Sequence, residues 1–205
     1  MTKTADDPEA ERHRAKMAKR KSVQDDEVAG KTVEKGLLIV HTGTGKGKST
    51  AAFGLALRML GRGKRVGVVQ FIKGAWHSAE RDALTTFGDQ VSWHTMGEGF
   101  TWETQDLARD IAAATRAWAK AQELMADPSF GLVILDELNI ALRYDYLDLA
   151  AVLAALAARR PDLHVVVTGR NAKQALIDAA DLVTEMTLVK HHFAAGVKAQ
   201  PGIEF

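Results

Sequence analysis

The chain contains no cysteine, which excludes disulfides and thiolate metal centres and fits a reducing compartment. Neither sign of charge dominates, because 27 basic and 26 acidic residues leave a formal net charge of +1. No global field therefore draws the protein to nucleic acid or to an anionic membrane. A long hydrophobic run is also missing. The longest apolar stretch, residues 149–158, is ten residues of mostly small side chains, far short of a bilayer span. Residues 1–20 hold no apolar signal core, so the expected location is cytoplasmic. Residues 1–35 have almost no large apolar side chains and carry nine basic and eight acidic ones. Such a segment makes no core of its own. It is expected to be a charged arm, solvated or docked, with helix formers over residues 9–21. Residues 36–205 are expected to form one domain, since 205 residues at 46% hydrophobic composition suffice for one well-buried core and not for two.

What is present is concentrated in GLLIVHTGTGKGKSTAAFGL, residues 36–55. Residues 37–40 read as a short buried strand, and residues 51–60 carry Phe53, Leu55, Leu57 and Leu60 at helical spacing. Between them, Gly43, Gly45 and Gly47 free the backbone so that successive amides can face an anion at a helix N-terminus. Lys48 supplies a point charge for phosphates, and the Ser49 hydroxyl is the natural ligand of a bound Mg²⁺. The expected nucleotide-binding segment is Thr42, Gly43, Thr44, Gly45, Lys46, Gly47, Lys48, Ser49 and Thr50. Thr42 departs from the G-x-x-x-x-G-K-[ST] spacing, which asks for glycine there.

A phosphate loop needs an acidic partner at the end of another buried strand, and residues 132–135 followed by Asp136 and Glu137 supply it. Which of the two carboxylates touches the metal is left open by the residues themselves. Residues 66–72 and 164–168 read as further buried strands, with weaker candidates at 90–94 and 182–188. Helices are expected at 104–126, 147–159 and 172–180, the last capped by Asn171. This alternation implies an α/β fold, a mainly parallel sheet with helices on both faces, and a ligand at the carboxyl edge of the strands. Arg170, just past one strand, stands where it could reach phosphate or ribose or simply end a solvated turn. His191 and His192, if adjacent on a strand, point to opposite faces and do not share one ion. Trp118, in an alanine-rich helix, reads as core packing.

The segments GTGKGKSTAAFGLALR, VGVVQFIKG, GEGFTWETQD, LVILDELNIAL and VKHHFAAGVKAQPGIEF together resemble the corrinoid adenosyltransferase family, over residues 36–205. The family's shortened loop has the glycine spacing seen here. The resemblance implies a RecA-like phosphate-loop architecture in which ATP, lying reversed, presents its 5′ carbon to a corrinoid. It also implies transfer of the 5′-deoxyadenosyl group to Co(I) with tripolyphosphate leaving, Mg²⁺ or Mn²⁺ as cofactor, and ATP and reduced corrinoid as substrates. Ser49 and Glu137, with Asp136 assisting, become the metal-associated residues. Lys48, Glu137, Phe100 and Trp102 become the catalytic set. Phe100 and Trp102 are the aromatics that wall off the lower face of the corrinoid, easing reduction of Co(II). The reading without the resemblance is that they cover the sheet edge. A flavoprotein electron donor and a homodimer, with the arm able to cover an active site, complete the implied picture. A phosphate-loop ATPase or small-molecule kinase is the alternative function, although no arginine-rich lid segment is found.

Overall fold

The computed structural model of the chain describes residues 8–72, 78–96 and 106–204. The chain divides into two compact units, Met1–Glu34 and Lys35–Phe205. The first contains a helix, Pro8–Ala29, none of whose residues is buried. This follows from its sequence, in which charged side chains occupy every face.

The second unit is built on six parallel strands: β1 (Leu38–Thr42), β2 (Arg65–Gln70), β3 (Val91–Thr95), β4 (Phe130–Asp136), β5 (His164–Thr168) and β6 (Leu182–Glu185). Their order across the sheet is β3-β2-β4-β5-β1-β6. One strand, β5, therefore separates β1, which feeds the glycine loop, from β4, which ends in the carboxylates. The central strands are near-continuous apolar runs because both sheet faces are covered. Alternate residues go to opposite layers. Leu38, Val40, Val69, Val133, Leu135, Val165 and Val167 face the layer that includes Ala117, Ala121, Leu124, Val152 and Leu156. Ile39, Val66, Val68, Leu132, Ile134 and Val166 face Ala52, Phe53, Ala56 and Leu60 on the other side.

Most expected elements occupy their places with shifted ends. The helix after the loop begins at Lys48, not at residue 51, because Gly47 (φ 103°) turns the chain directly into it. The long helix is Leu107–Ala126, its Asp106 side chain accepting the Arg109 N–H. The next is Leu149–Ala157, capped by Asp148. Two expectations fail locally. Asn171 caps nothing: it takes a left-handed conformation (φ 55°), and the helix runs Gln174–Ala179 after an extended Lys173. His191 and His192 are not in a strand, since β6 stops at Glu185 and His192–Ala195 is a 3-10 turn. Their rings stack with centroids 4.8 Å apart instead of diverging. Helices Ala79–Thr85 and Leu138–Arg143 are additional to those expected. Among the described residues no helix is long and apolar enough to cross a membrane.

Candidate active site

The site lies at the carboxyl edge of the sheet, where β1, β4, β5 and β2 all end. Leaving β1, the chain makes the loop 43–47 with positive φ at Gly43 (98°) and Gly47 (103°), conformations that side chains with a Cβ resist. Gly45 departs from the expected geometry, in which each loop amide faces an anion. Its N–H donates to the Met186 carbonyl at 2.6 Å. Thr42 Oγ1 is likewise engaged within the protein, accepting the Ala172 N–H at 3.1 Å. Thr44, Lys46 and Thr50 are exposed, whereas Lys48 is buried. The Lys48 ammonium folds back onto its own loop, donating to the Gly45 carbonyl at 2.6 Å. Burial lowers its pKa, an effect that the Glu137 charge opposes and Arg170 and Lys46 reinforce.

Asp136 is the hub of the carboxylate end. Its Oδ1 accepts from Ser49 Oγ and from Thr168 Oγ1, both at 2.7 Å, and its Oδ2 accepts from Gln70 Nε2 at 3.0 Å. The network continues outward, because Gln70 Oε1 accepts from Trp93 Nε1 at 3.1 Å and Thr95 Oγ1 at 3.0 Å. Thr168 Oγ1 also accepts the Glu137 N–H at 3.0 Å. That bond holds Glu137 in a left-handed conformation (φ 60°) at the start of Leu138–Arg143. Close to its side chain, a Cβ placed at Gly169 would lie 2.9 Å from Glu137 Oε2. Arg170 is exposed, yet near enough for its charge to act on both Lys48 and Glu137. The structure thus brings together Lys48, Ser49, Asp136, Glu137 and Arg170 from segments far apart in sequence. Phe100 and Trp102 lie outside the described residues.

Burial, and secondarily the Asp136 charge, pushes the Glu137 carboxyl up from 4.5 to about 7, against the pull of Lys48 and Arg170. The folded chain therefore binds this proton more tightly than the unfolded chain does. Its contribution to stability is complete below about pH 4.5 and is lost as pH rises through about 7. With Glu137→Gln, the ligand-free protein is expected to lose this part of the pH dependence and to gain on the order of 1–3 kcal/mol at pH 8. Calorimetric melting from pH 5 to 9 checks it, and an unchanged slope would place Glu137 in water.

Three supporting groups were not singled out from sequence: His41, Gln70 and Thr168. Each is a buried polar residue at or next to the carboxyl end of an apolar strand, which is a readable signal for a site at that edge. Nδ1 of His41 lies 3.1 Å from the Lys48 carbonyl oxygen and carries the proton, since a carbonyl only accepts. An apolar cleft lined by Leu37, Ile39, Leu55, Met59 and Leu132 opens away from this edge and contains none of these groups.

A glycine loop feeding a Lys-Ser helix, faced across one strand by paired carboxylates, defines a phosphate-loop nucleotide-binding protein of RecA-like architecture. The flagellar accessory protein FlaH from Methanocaldococcus jannaschii shares the fold, with TM-score 0.50 at 12% identity over 79% of this chain and 76% of that one. The model of the family described as ATP:corrinoid adenosyltransferase BtuR/CobO/CobP matches residues 34–205, and the model described as Cob(I)alamin adenosyltransferase N terminal matches residues 1–28. The corrinoid adenosyltransferase of Pseudomonas aeruginosa is 57% identical over 195 residues, covering 95% of this chain and 96% of its own. Corrinoid adenosyltransferase CobA of Salmonella typhimurium is 48% identical over 195 residues, covering 95% and 98%. The chain belongs to the ATP:corrinoid adenosyltransferase family, and its substrates are accordingly ATP and a corrinoid.

Proposed function

We propose that this enzyme transfers the 5′-deoxyadenosyl group of ATP to the Co(I) centre of a reduced corrinoid. Co(I) supplies the electron pair of the new cobalt–carbon bond, becoming Co(III), as the C5′–O bond breaks and tripolyphosphate leaves with the pair of that broken bond. The observation carrying this reading is the convergence of Lys48, Ser49, Asp136 and Glu137 on one edge of the sheet in a chain of this family. The nucleophile is the substrate's metal, so no protein side chain has to form a covalent intermediate. The residues' tasks are alignment and charge neutralisation.

Ser49 Oγ, Asp136 and Glu137 form a hard oxygen donor set of the kind that suits Mg²⁺ or Mn²⁺, and Ser49 Oγ and Asp136 Oδ1 are already 2.7 Å apart. When bound, the cation would neutralise charge that builds on the triphosphate. Lys48 exchanges its bond to the Gly45 carbonyl for one to phosphate, and the remaining loop amides and Arg170 add further positive potential. The carboxyl of Glu137 must ionise to take part, so metal-nucleotide binding is expected to strengthen through about pH 7 and to release a proton. A homodimer, a cytoplasmic location and a flavoprotein electron donor belong to the same proposal.

The test is to incubate the protein with ATP, Mg²⁺ and chemically reduced corrinoid, following the light-sensitive cobalt–carbon bond by absorbance and assaying the phosphate product. Tripolyphosphate is expected. ADP would show that the γ-phosphoryl moves and that the chain acts as an ATPase or kinase. Within this proposal Phe100 and Trp102 wall off the lower corrinoid face. Converting both to alanine is expected to slow the reaction mainly from Co(II) with a weak reductant, and to spare it when Co(I) is supplied. Equal loss from both cobalt states, with a lowered Tm, would make the pair a packing element.

A further inference from the structure

After β6 the chain turns back onto the phosphate loop. The Met186 N–H donates to the Thr42 carbonyl at 2.9 Å, and the Met186 carbonyl accepts the Gly45 N–H at 2.6 Å. A Cβ at Gly45 would lie 2.7 Å from the carbonyl oxygens of both Met186 and Thr187, so the two segments meet backbone to backbone. Further on, His191 caps the 3-10 turn with its Nδ1 accepting the Phe193 N–H at 3.1 Å. A final turn, with the Glu204 N–H donating to the Gln200 carbonyl at 3.0 Å, brings the Glu204 carboxylate to the loop. There Oε2 accepts from Lys46 Nζ. Oε1 is buried and accepts no hydrogen bond, with His192 Nε2 standing 3.3 Å away.

From this arrangement we infer that Glu204 is an internal counter-anion of the phosphate loop, holding Lys46 while no polyphosphate is bound and yielding it when one arrives. Lys46 sits two residues before Lys48 and is 51% exposed. An ion pair with one arm in water is weak and readily exchanged. A polyphosphate carries several negative charges and is drawn by Lys48 and the loop amides as well, so it outcompetes one carboxylate for the same ammonium. The displaced carboxylate is not left bare, because His192 already stands beside its other oxygen. Glu204 thereby weakens retention of polyphosphate and favours its departure after the reaction. The identity of that product as tripolyphosphate rests on the function proposed above.

His191, His192 and Glu204 also have ligand atoms within 4.8 Å of one another. A cation there would have to displace the Phe193 N–H from His191 or bind His191 through a nitrogen that bond leaves protonated. It would also sit beside the ammonium of Lys46. The geometry favours an anion lever over a cation site.

The experiment titrates the full chain with inorganic tripolyphosphate in EDTA by calorimetry. Glu204→Gln is expected to bind about three- to tenfold tighter than wild type, the scale of releasing one exposed ion pair near a polyanion. In a Lys46→Met background the same change is expected to give no gain. Unchanged or weaker binding by Glu204→Gln would overturn the proposal, as would a gain that persists without Lys46. Hydrogen exchange of the wild type supplies a readout independent of variant stability. Saturating tripolyphosphate is expected to accelerate exchange at the Ile203 and Glu204 amides, and no change would count against displacement. In a separate titration without EDTA or polyphosphate, Zn²⁺ binding by the wild type that Glu204→Gln abolishes would assign the three residues to a cation instead and overturn the counter-anion role. Failure of adenosyl transfer alongside the calorimetric gain would fault the proposed reaction and leave this inference standing.

Discussion

Lys48→Ala is expected to keep the fold and to lose about a hundredfold or more in catalytic efficiency, the scale of removing one preorganised electrostatic group. The Lys48 ammonium is buried and donates to the Gly45 carbonyl at 2.6 Å. Taking away a desolvated cation relieves a burial cost while losing that bond, so the melting temperature should move by only a few degrees. The substitution also removes the first charge that opposes the upward shift of Glu137. That carboxyl should then stay protonated to higher pH, compounding the loss of affinity for a metal-bound nucleotide. Nucleotide titration and steady-state kinetics across pH 6–9 check both parts. Near-wild-type kinetics would remove the loop from the active site.

Asp136→Ala is expected to cost both stability and activity. Ser49, Thr168 and Gln70 all donate to this one carboxylate, and two of the donors, Thr168 and Gln70, are buried. Leaving buried donors without an acceptor destabilises by about 1–3 kcal/mol apiece where water cannot enter, so for the two buried donors a total of roughly 2–6 kcal/mol is expected from chemical denaturation. The same substitution should lower the Glu137 titration midpoint, because the Asp136 charge is its second cause of elevation after burial. An Asp136→Ala protein with unaltered stability and an unaltered Glu137 midpoint would mean that the hub is not formed in solution.

The sheet was legible in the sequence because its central strands are buried on both faces and so read as unbroken apolar runs ending in polar residues. Residues 164–168 have in sequence the bounds of the strand itself, and the loop pairs with its acidic partner because each ends such a run. Elements that owe their ends to backbone conformation were less legible. Asn171 looked like a cap by residue type but sits in a left-handed turn, and Leu138–Arg143 is too short to show a period after the left-handed Glu137. The seating of the tail on the loop could not be read at all. Lys46 and Glu204 are 158 residues apart, and neither belongs to a periodic segment. The strand expected over 182–188 ends at Glu185, where the chain turns toward the loop, and the stacked His191 and His192 lie beyond it at the start of a 3-10 turn.

The position of β5 has a consequence for what the site can accept. Adjacent strands are spaced by about 4.8 Å, so the ends of β1 and β4 stand roughly two spacings, or ~10 Å, apart, with Thr168 between them. The gap is a gauge fixed by backbone hydrogen bonds and not by any side chain. Exchanging Val165, Val166 or Val167 for other apolar residues would alter packing yet leave the gauge unchanged. A one-residue slip of β5 would instead carry Thr168 to the other face and detach both Asp136 and the Glu137 amide from it. Selection for a different nucleotide or acceptor can therefore work on the surrounding loops while the interval between phosphate seat and carboxylates stays constant.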